Sequence, residues 1–334
     1  MATKKKAPAE GNSPLDKLLD KHESLKKLGD YDLSVRKVPT GIWTLDDTLA
    51  GGIPMGKVIE IHGGGGSGKT SLACLISAAF QREFPDKSVV YIDAESALDE
   101  FLAIEMYGLD PERTLLSRPD IDNTAEILMD QLVDAAMNPG VSLVILDSVA
   151  GLVTDAEMKK KAGDLTVAAT ASLMARTVKK LCSRQDPNAA PVIFLNQIRH
   201  AIGNSGITTP GGSSMEFYPS LRLRLRRGDP VKDGEEEIGF SCRCQVMKAR
   251  YSRNRLVTGW SVIYGPEGIS TLRSIVTVAM AQKLIVQNSS WFSIAGQDGK
   301  KWQGMEKMLD AIREDPELQQ FIIDNLKQEY IVGD

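Results

Sequence analysis

The stretch Gly63-Gly64-Gly65-Gly66-Ser67-Gly68-Lys69-Thr70 constrains this chain more than any other. It fits G-x-x-x-x-G-K-[ST], the phosphate-binding P-loop. Both flanks agree with it. Val58-Ile59-Glu60-Ile61 reads as a short apolar strand, and Thr70 to Phe84 as a helix with Leu72, Leu75, Ile76 and Ala79 on one stripe. Glycines let backbone N–H groups turn inward around an anion, and the N-terminus of the following helix adds its dipole. Lys69 has the reach for β- and γ-phosphates, and the Thr70 hydroxyl suits Mg²⁺. The chain is therefore expected to bind a nucleotide, with Ser71 continuing the cradle.

More strands follow in an alternating order. Ser88-Val89-Val90-Tyr91-Ile92-Asp93 reads as a buried strand with Ala94-Glu95 at its carboxyl end, where the ligand crevice of a parallel sheet opens. Thr124 to Ala136 reads as an amphipathic helix. Leu143-Val144-Ile145-Leu146-Asp147-Ser148 is an apolar strand closing on a carboxylate, a Walker B pattern in which Asp147 would hold Mg²⁺ mostly through water. Val192-Ile193-Phe194-Leu195 ends in Asn196-Gln197, an amide pair suited to sensing a γ-phosphate. Strands alternating with helices from 57 to 197 predict a parallel, doubly wound sheet.

The pattern then changes. Leu221-Arg222-Leu223-Arg224-Leu225-Arg226-Arg227 alternates strictly, as does Cys242-Arg243-Cys244-Gln245-Val246-Met247-Lys248, and Trp260 to Tyr264 follows. These predict further, antiparallel strands of the same sheet. Beyond Gly265-Pro266-Glu267-Gly268 the sequence reads as mostly helical, with Trp291-Phe292 in a short hairpin. Glu157 to Asp164 and Gly203 to Ser214 are rich in small or basic residues and read as loops; each follows a strand of the nucleotide site. Before the core, Asp16 to Leu28 carries a leucine stripe that cannot bury itself, so it is expected to pack on another surface such as a neighbouring subunit.

Charge and cysteine content exclude some classes. The formal net charge is −4, which disfavours coating of nucleic acid by bulk charge but leaves room for the basic strip of Arg222, Arg224 and Arg226. Cys242 and Cys244 are too close for a usual zinc pair, and no second pair accompanies them. The histidines are scattered. No apolar run is long enough to span a bilayer and no leader segment is evident, so the expected location is cytoplasmic.

From about Val38 onward the chain resembles the bacterial RecA recombinase family. The resemblance is carried by Gly52-Ile53-Pro54-Met55-Gly56, the P-loop, Tyr91-Ile92-Asp93-Ala94-Glu95-Ser96-Ala97-Leu98-Asp99, Leu146-Asp147-Ser148-Val149-Ala150, Phe194-Leu195-Asn196-Gln197-Ile198-Arg199, and Gly211-Gly212 with Phe217-Tyr218. It implies an α/β fold: a P-loop NTPase core with a mixed, mostly parallel twisted sheet flanked by helices. An N-terminal helix and a small α+β C-terminal domain accompany it. The implied domains are 1–37 for the tail and oligomerisation helix, 38–266 for the core with DNA-binding loops at 157–165 and 200–213, and 267–334 for the C-terminal domain.

The resemblance also implies roles. Glu95 would activate the attacking water and Gln197 would sense the γ-phosphate, with Lys69 at the phosphates. Lys248 and Arg250 would reach the ATP of the next subunit, an arginine-finger arrangement supplied in trans. Asp99 and Tyr264 would contact adenine; Thr70 and Asp147 would hold Mg²⁺. Arg199 and the amides of Gly211, Gly212 and Ser213 would bind phosphates of single-stranded DNA, and Ile202 would wedge between bases. Arg226, Arg227 and Arg243 would receive double-stranded DNA or a displaced strand, and Phe217 would pack across the subunit interface. The implied activity is DNA-dependent ATP hydrolysis by a helical filament that pairs and exchanges homologous strands. A ring-forming motor on the same core, or a DNA-binding filament with little exchange, remain alternatives at this level.

The chain departs from the family in places. Its second loop is shorter and has no aromatic residue, Phe101 stands beside the position of an adenine-covering aromatic, and Glu216 and Gln245 replace basic residues. The family's acidic C-terminal tail is expected to be missing, since the sequence closes on Tyr330-Ile331-Val332-Gly333-Asp334. These departures would fit a bacteriophage or plasmid version.

Overall fold

The computed structural model describes residues 13–22, 24–30, 34–119, 124–159, 167–183, 186–200, 207–252, 256–297 and 299–326. It divides into two units, 1–35 and 36–334. In the first, α1 (Pro14–Lys21) starts on a Ser13–Asp16 capping box with Pro14 in the first turn. It stops seven residues short of the expected end at Leu28. It buries no residue of its own, so the cap alone supports it, and Leu15, Leu18, Leu25 and Leu28 are exposed.

The second unit is built on a nine-stranded sheet among the described residues, whose strands lie side by side in the order 268–269, 257–263, 236–249, 221–233, 58–63, 192–197, 141–147, 88–93 and 114–117. A short antiparallel pair, β1 (Lys37–Val38) and β2 (Ile53–Pro54), flanks α2 (Trp43–Thr48) and leads into β3 (Val58–Gly63). The parallel part is β3, β4 (Ser88–Asp93), β5 (Thr114–Ser117), β6 (Val141–Asp147), β7 (Val192–Gln197) and the first half of β10 (Leu221–Asp233). Every residue of β3 is buried, as expected of a parallel strand covered on both faces.

Helix α3 (Lys69–Glu83) packs on one face, in a core that includes Ile59, Ile61, Tyr91, Ile145 and Leu223. Helices α4 (Ala125–Met137) and α6 (Val167–Cys182) cover the other face around Val58, Leu146, Val192 and Phe194. The single stripe expected of α3 is an underestimate: Leu72 to Gln81 is buried on every side. Ala73, Cys74, Ser77 and Ala78 are small enough to let neighbours close in on the remaining faces.

The strands after the core are not all antiparallel, contrary to the sequence expectation. The chain returns through α7 (Ser214–Phe217), the Ser220 N–H donates to the Val58 carbonyl at 2.8 Å, and β10 runs parallel to β3. Only β11 (Glu236–Ala249), β12 (Val257–Ile263) and β13 (Gly268–Ile269) add antiparallel. Two expected loops also carry structure. Glu157 and Met158 close α5 (Asp155–Met158), which has its own Thr154–Glu157 capping box. Ile207–Thr208 forms β9, antiparallel to β8 (Arg199–His200), at the base of the second loop. Residues 160–166 and 201–206, between the described limbs of the two loops, lie outside the described residues.

The C-terminal region is less helical than expected. A three-stranded antiparallel sheet, β14 (Ile285–Asn288), β15 (Trp291–Ile294) and β16 (Lys301–Gln303), joins α8 (Thr271–Ala281), α9 (Met305–Glu314) and α10 (Pro316–Asn325). The Trp291-Phe292 turn pattern marked the middle strand of that sheet. These elements share their own apolar cluster, against which Trp43 of α2 packs. No helix among the described residues is long and apolar enough to cross a membrane.

One buried polar knot ties β3, β7 and β10 together. Glu60 is fully buried, accepts from Arg222 Nε at 2.6 Å and from Asn196 Nδ2 at 3.0 Å, and lies 3.5 Å from His62 Nδ1. Asn196 Nδ2 also donates to the Pro210 carbonyl at 2.9 Å, which anchors the outgoing limb of the second loop. Removing the cation strands a buried carboxylate. Arg222→Met should therefore lower unfolding stability by about 3–5 kcal/mol in urea melts; a loss below about 1 kcal/mol would place the pair with ordinary exposed ones.

Candidate functional site

The nucleotide cradle is set by backbone geometry. Gly66 and Gly68 adopt φ of 65° and 86°, in the left-handed region where a side chain is strained. At Gly63 a Cβ would lie 2.5 Å from the Leu225 carbonyl oxygen, so only glycine fits beside β10. The Cys242 thiol, buried on β11, supports the loop from behind by donating to the Ser67 carbonyl at 3.5 Å. Lys69 folds over the loop, its ammonium donating to the carbonyls of Gly63 (3.1 Å) and Gly64 (2.9 Å). Partial burial lowers its pKa, opposed by the charges of Asp147 and Glu95. Ser71 bonds to the Tyr107 phenol, which ties the P-loop helix to the segment that carries Asp99.

Three carboxylates meet at the carboxyl ends of β4 and β6, each with its own partners. Asp93 accepts from the N–H groups of Ala97 and Leu98 and from Arg118 Nε. Asp147 Oδ2 accepts from Thr70 Oγ1 and from Tyr91 Oη, both at 2.8 Å. Burial raises the Asp147 pKa, the Thr70 and Tyr91 bonds oppose the rise, and the charges of Glu95 and Asp93 add to it. Glu95 Oε1 accepts from Ser148 Oγ and, at 2.9 Å, from Gln197 Nε2. The expected water-activating group and the expected γ-phosphate sensor are thus in direct contact.

This corner fits a nucleotide-bound divalent cation. Among the described residues no group of three or more His, Cys, Asp or Glu could hold a metal alone. A cation here needs phosphate oxygens and water to complete its shell, the usual behaviour of Mg²⁺. The Ser67 hydroxyl is buried without a hydrogen-bond partner among the described residues, and Asp147 is disfavoured as an anion by burial and, less, by the charges of Glu95 and Asp93. Both are consistent with a site completed by a charged ligand.

The two expected adenine contacts sit on adjoining segments. Asp99 is exposed and caps a π-helical turn, Phe101–Met106, through the Leu102 N–H. It borders a cleft of about 470 Å³ shared with Leu98, Glu100, Ala103 and Arg118. Tyr107 accepts from the Ile269 N–H at 3.1 Å, and at Gly268 a Cβ would strike Met106 and Tyr107, so the turn after Tyr264 packs on this segment. Tyr264 itself is 46% exposed and bonds to Glu237 and Arg227.

Strand register separates Lys248 and Arg250 from the P-loop of their own chain. Lys248 pairs with Arg222, which pairs with Glu60, three residues before Gly63, or about 10 Å back along the strand. The Arg250 N–H donates to the Ser220 carbonyl, at the level of Val58, where β3 begins. Both therefore sit toward the amino edge of the parallel strands, whereas Gly63, Asp93, Asp147 and Gln197 sit at the carboxyl edge. Lys248 Nζ donates to the Phe217 carbonyl, and the Phe217 ring is 68% exposed beside it.

The residues expected to contact DNA do not all share a face. Arg226 and Arg243 are direct cross-strand neighbours, in line with Arg222 and Arg224 on the sheet face that carries Glu60. Like charges placed opposite one another repel. Arg224, whose Nε is buried without a partner among the described residues, has its pKa lowered by burial and by Arg226. Arg227 points to the other face. Its guanidinium stacks on Phe240 at 4.1 Å, beside Tyr264. Gly211 and Gly212 have φ of 90° and 73°; side chains there would press on Met215 and Ala171. Ser213 immediately precedes α7. Arg199 lies on β8, and Ile202 lies outside the described residues.

Comparison with known proteins decides the family. A model of the RecA N-terminal domain matches residues 11–270. Protein RecA of Synechococcus elongatus is 34% identical over 314 residues, spanning 93% of this chain and 86% of its own length. Protein RecA of Synechococcus sp. strain CC9605 is 36% identical over 298 residues, 88% and 77% of the two chains. That of Nostoc sp. is 34% identical over 314 residues, 93% and 85%. The chain belongs to the RecA family. It is a recombinase, a nucleotide-binding, DNA-dependent ATPase of recombination and repair.

Three residues of this RecA-family site escaped sequence reasoning. Ser148 and Tyr91 lie in the runs that carry the resemblance but have no role assigned from the sequence, although each spends its hydroxyl on a carboxylate of this corner. Arg118 follows β5 and holds Asp93 across the crevice. A hydroxyl at a position where an apolar residue would serve the strand equally well was the available signal for Tyr91. If Gln197 and Ser148 restrain Glu95 until nucleotide binds, Gln197→Ala should reduce the stimulation of ATP hydrolysis by DNA while leaving ADP affinity within about twofold, since ADP lacks the γ-phosphate that Gln197 is expected to contact. Equal loss of affinity and stimulation in a nucleotide titration would contradict that.

Proposed function

We propose that ATP·Mg²⁺ binds between head-to-tail copies of this chain, and that the resulting helical filament binds single-stranded DNA and exchanges it with a homologous duplex in the cytoplasm. The carrying observation is the register that puts Lys248, Arg250 and the exposed Phe217 at one edge of the sheet and the P-loop at the other. One edge of a molecule then complements the opposite edge of the next. A heterologous contact of that kind propagates as a ring or a helix rather than closing as a dimer.

In this reading the P-loop amides and Lys69 hold the phosphates, and Thr70 and Asp147 hold the cation. A bound Mg²⁺ would supply positive charge to offset that of the phosphates. Glu95 orients water toward the γ-phosphate, and Lys248 and Arg250 of the neighbouring copy offset the charge that develops on transfer. Gln197, now bonded to Glu95, is placed to exchange that partner for the γ-phosphate and to pass the change into the loop that follows it. Asp99 and Tyr264 flank the base. Arg199, Ile202 and the turn at Gly211, Gly212 and Ser213 engage the first strand. Arg226 and Arg243 form the strip for the second, with Arg227 on the opposite face.

Glu95→Gln should bind ATP and DNA normally and form filaments, while turnover falls by at least about a hundredfold, the scale of a lost general base. Lys69→Ala should impair nucleotide binding, assembly and DNA binding together. Negative-stain images of the wild type with ATP and single-stranded DNA should show helical filaments; closed rings without DNA-stimulated hydrolysis would overturn the reading. Arg226→Gln and Arg243→Gln should each reduce the salt dependence of second-strand binding, by about one unit of logarithmic slope per lost phosphate contact.

A further inference from the structure

Tyr91 does more than fill space. It lies on β4, fully buried in the core between the sheet and α3, where a phenylalanine would pack equally well. Its hydroxyl reaches across to β6 and donates to Asp147 Oδ2 at 2.8 Å. A hydroxyl buried without a partner loses its hydration with no compensation, so this bond is what makes a tyrosine tolerable here. Thr70 Oγ1 donates to the same oxygen at 2.8 Å. Two donors from two different elements therefore converge on Oδ2, and neither uses Oδ1. Rotation of the Asp147 carboxylate would break both bonds at once, so the pair fixes the direction in which Oδ1 is presented.

The two donors are not equivalent. Thr70 lies in the first turn of α3, and its hydroxyl is itself expected to ligate the cation. Tyr91 is anchored in the sheet by its buried ring and, unlike Thr70, is not itself an expected ligand of the cation. Outer-shell hydrogen bonds to metal-ligating groups orient them, and their loss typically weakens metal binding by about 10–100-fold.

We propose that Tyr91 is a positioning residue for the divalent cation, holding the Asp147 carboxylate in the orientation that receives the metal and its water when nucleotide arrives. The inference rests on the reading that Thr70 and Asp147 hold that cation. Tyr91 makes the cation site a preformed feature of the sheet, so less reorganisation remains when ATP binds.

The test is Tyr91→Phe in the full-length protein, which removes one oxygen and keeps the packing. Mn²⁺ affinity is read by electron paramagnetic resonance in the presence of a non-hydrolysable ATP analogue. A fluorescent nucleotide reports metal-free binding, and thermal unfolding reports stability. Because Asp147 acts mainly through water, the expected loss of Mn²⁺ affinity is at the lower end of that range, about tenfold. Metal-free nucleotide affinity should stay within about twofold, and ATP hydrolysis should saturate at correspondingly higher Mg²⁺. Unchanged Mn²⁺ affinity, even with a lowered melting temperature, would reduce Tyr91 to a structural role and overturn the proposal. Should the wild type itself bind no Mn²⁺ with the analogue, the cation reading fails first and the inference falls with it.

Discussion

The approach of the Leu225 carbonyl to Gly63 governs much of this molecule. With no Cβ at Gly63, β10 lies directly against β3 and runs parallel to it. That ladder sets three things together. It holds the first residue of the P-loop at the carboxyl edge. It carries the arginine strip past that edge through Arg224 and Arg226. Through the antiparallel partner β11, it carries Lys248 and Arg250 back toward the amino edge. The nucleotide cradle, the arginine strip and the Lys248–Arg250 pair are thus spaced by one strand register, and a slip of one residue would turn every side chain to the wrong face.

Strand β7 connects the two functions in a similarly economical way. Asn196 and Gln197 are consecutive, so their side chains leave opposite faces of the sheet. Gln197 reaches Glu95 at the catalytic corner, whereas Asn196 reaches Glu60 and the Pro210 carbonyl under the second loop. Glu60 in turn holds Arg222, the cross-strand partner of Lys248. A movement of this strand end would be felt at Glu95, at Pro210 in the second loop and, through Glu60 and Arg222, at Lys248. The buried ion pair need add no net stability to serve here, since its geometry is what links the elements.

Much of the core was legible because parallel strands, buried on both faces, are written as continuous apolar runs, and because the P-loop admits few contexts. The family resemblance then supplied the expected site residues, of which the structure brings Lys69, Thr70, Asp147, Glu95 and Gln197 into one corner. What stayed hidden depended on contacts between distant segments. The direction of β10 is set by the return through α7, which alternation in Leu221 to Arg227 does not encode. A small α+β C-terminal domain with a hairpin at Trp291-Phe292 was expected, but the third strand, β16, lies in a short polar segment that gives no strand pattern. The opposite facing of Arg227 from Arg226 and Arg243 was implicit in a period of two, yet charge alone grouped all three. Tyr91 and Ser148 look like ordinary strand residues until the strands are aligned.

The central claim is that each active site is shared, with Glu95 from one copy and Lys248 and Arg250 from the next. Mixing two inactive proteins, Glu95→Gln and Lys248→Ala, and measuring ATP hydrolysis on single-stranded DNA tests it directly. In a randomly mixed head-to-tail polymer about one interface in four joins an intact Glu95 to an intact Lys248, so the mixture should recover about a quarter of wild-type activity. Hydrolysis no greater than the average of the two separate proteins would contradict a shared site.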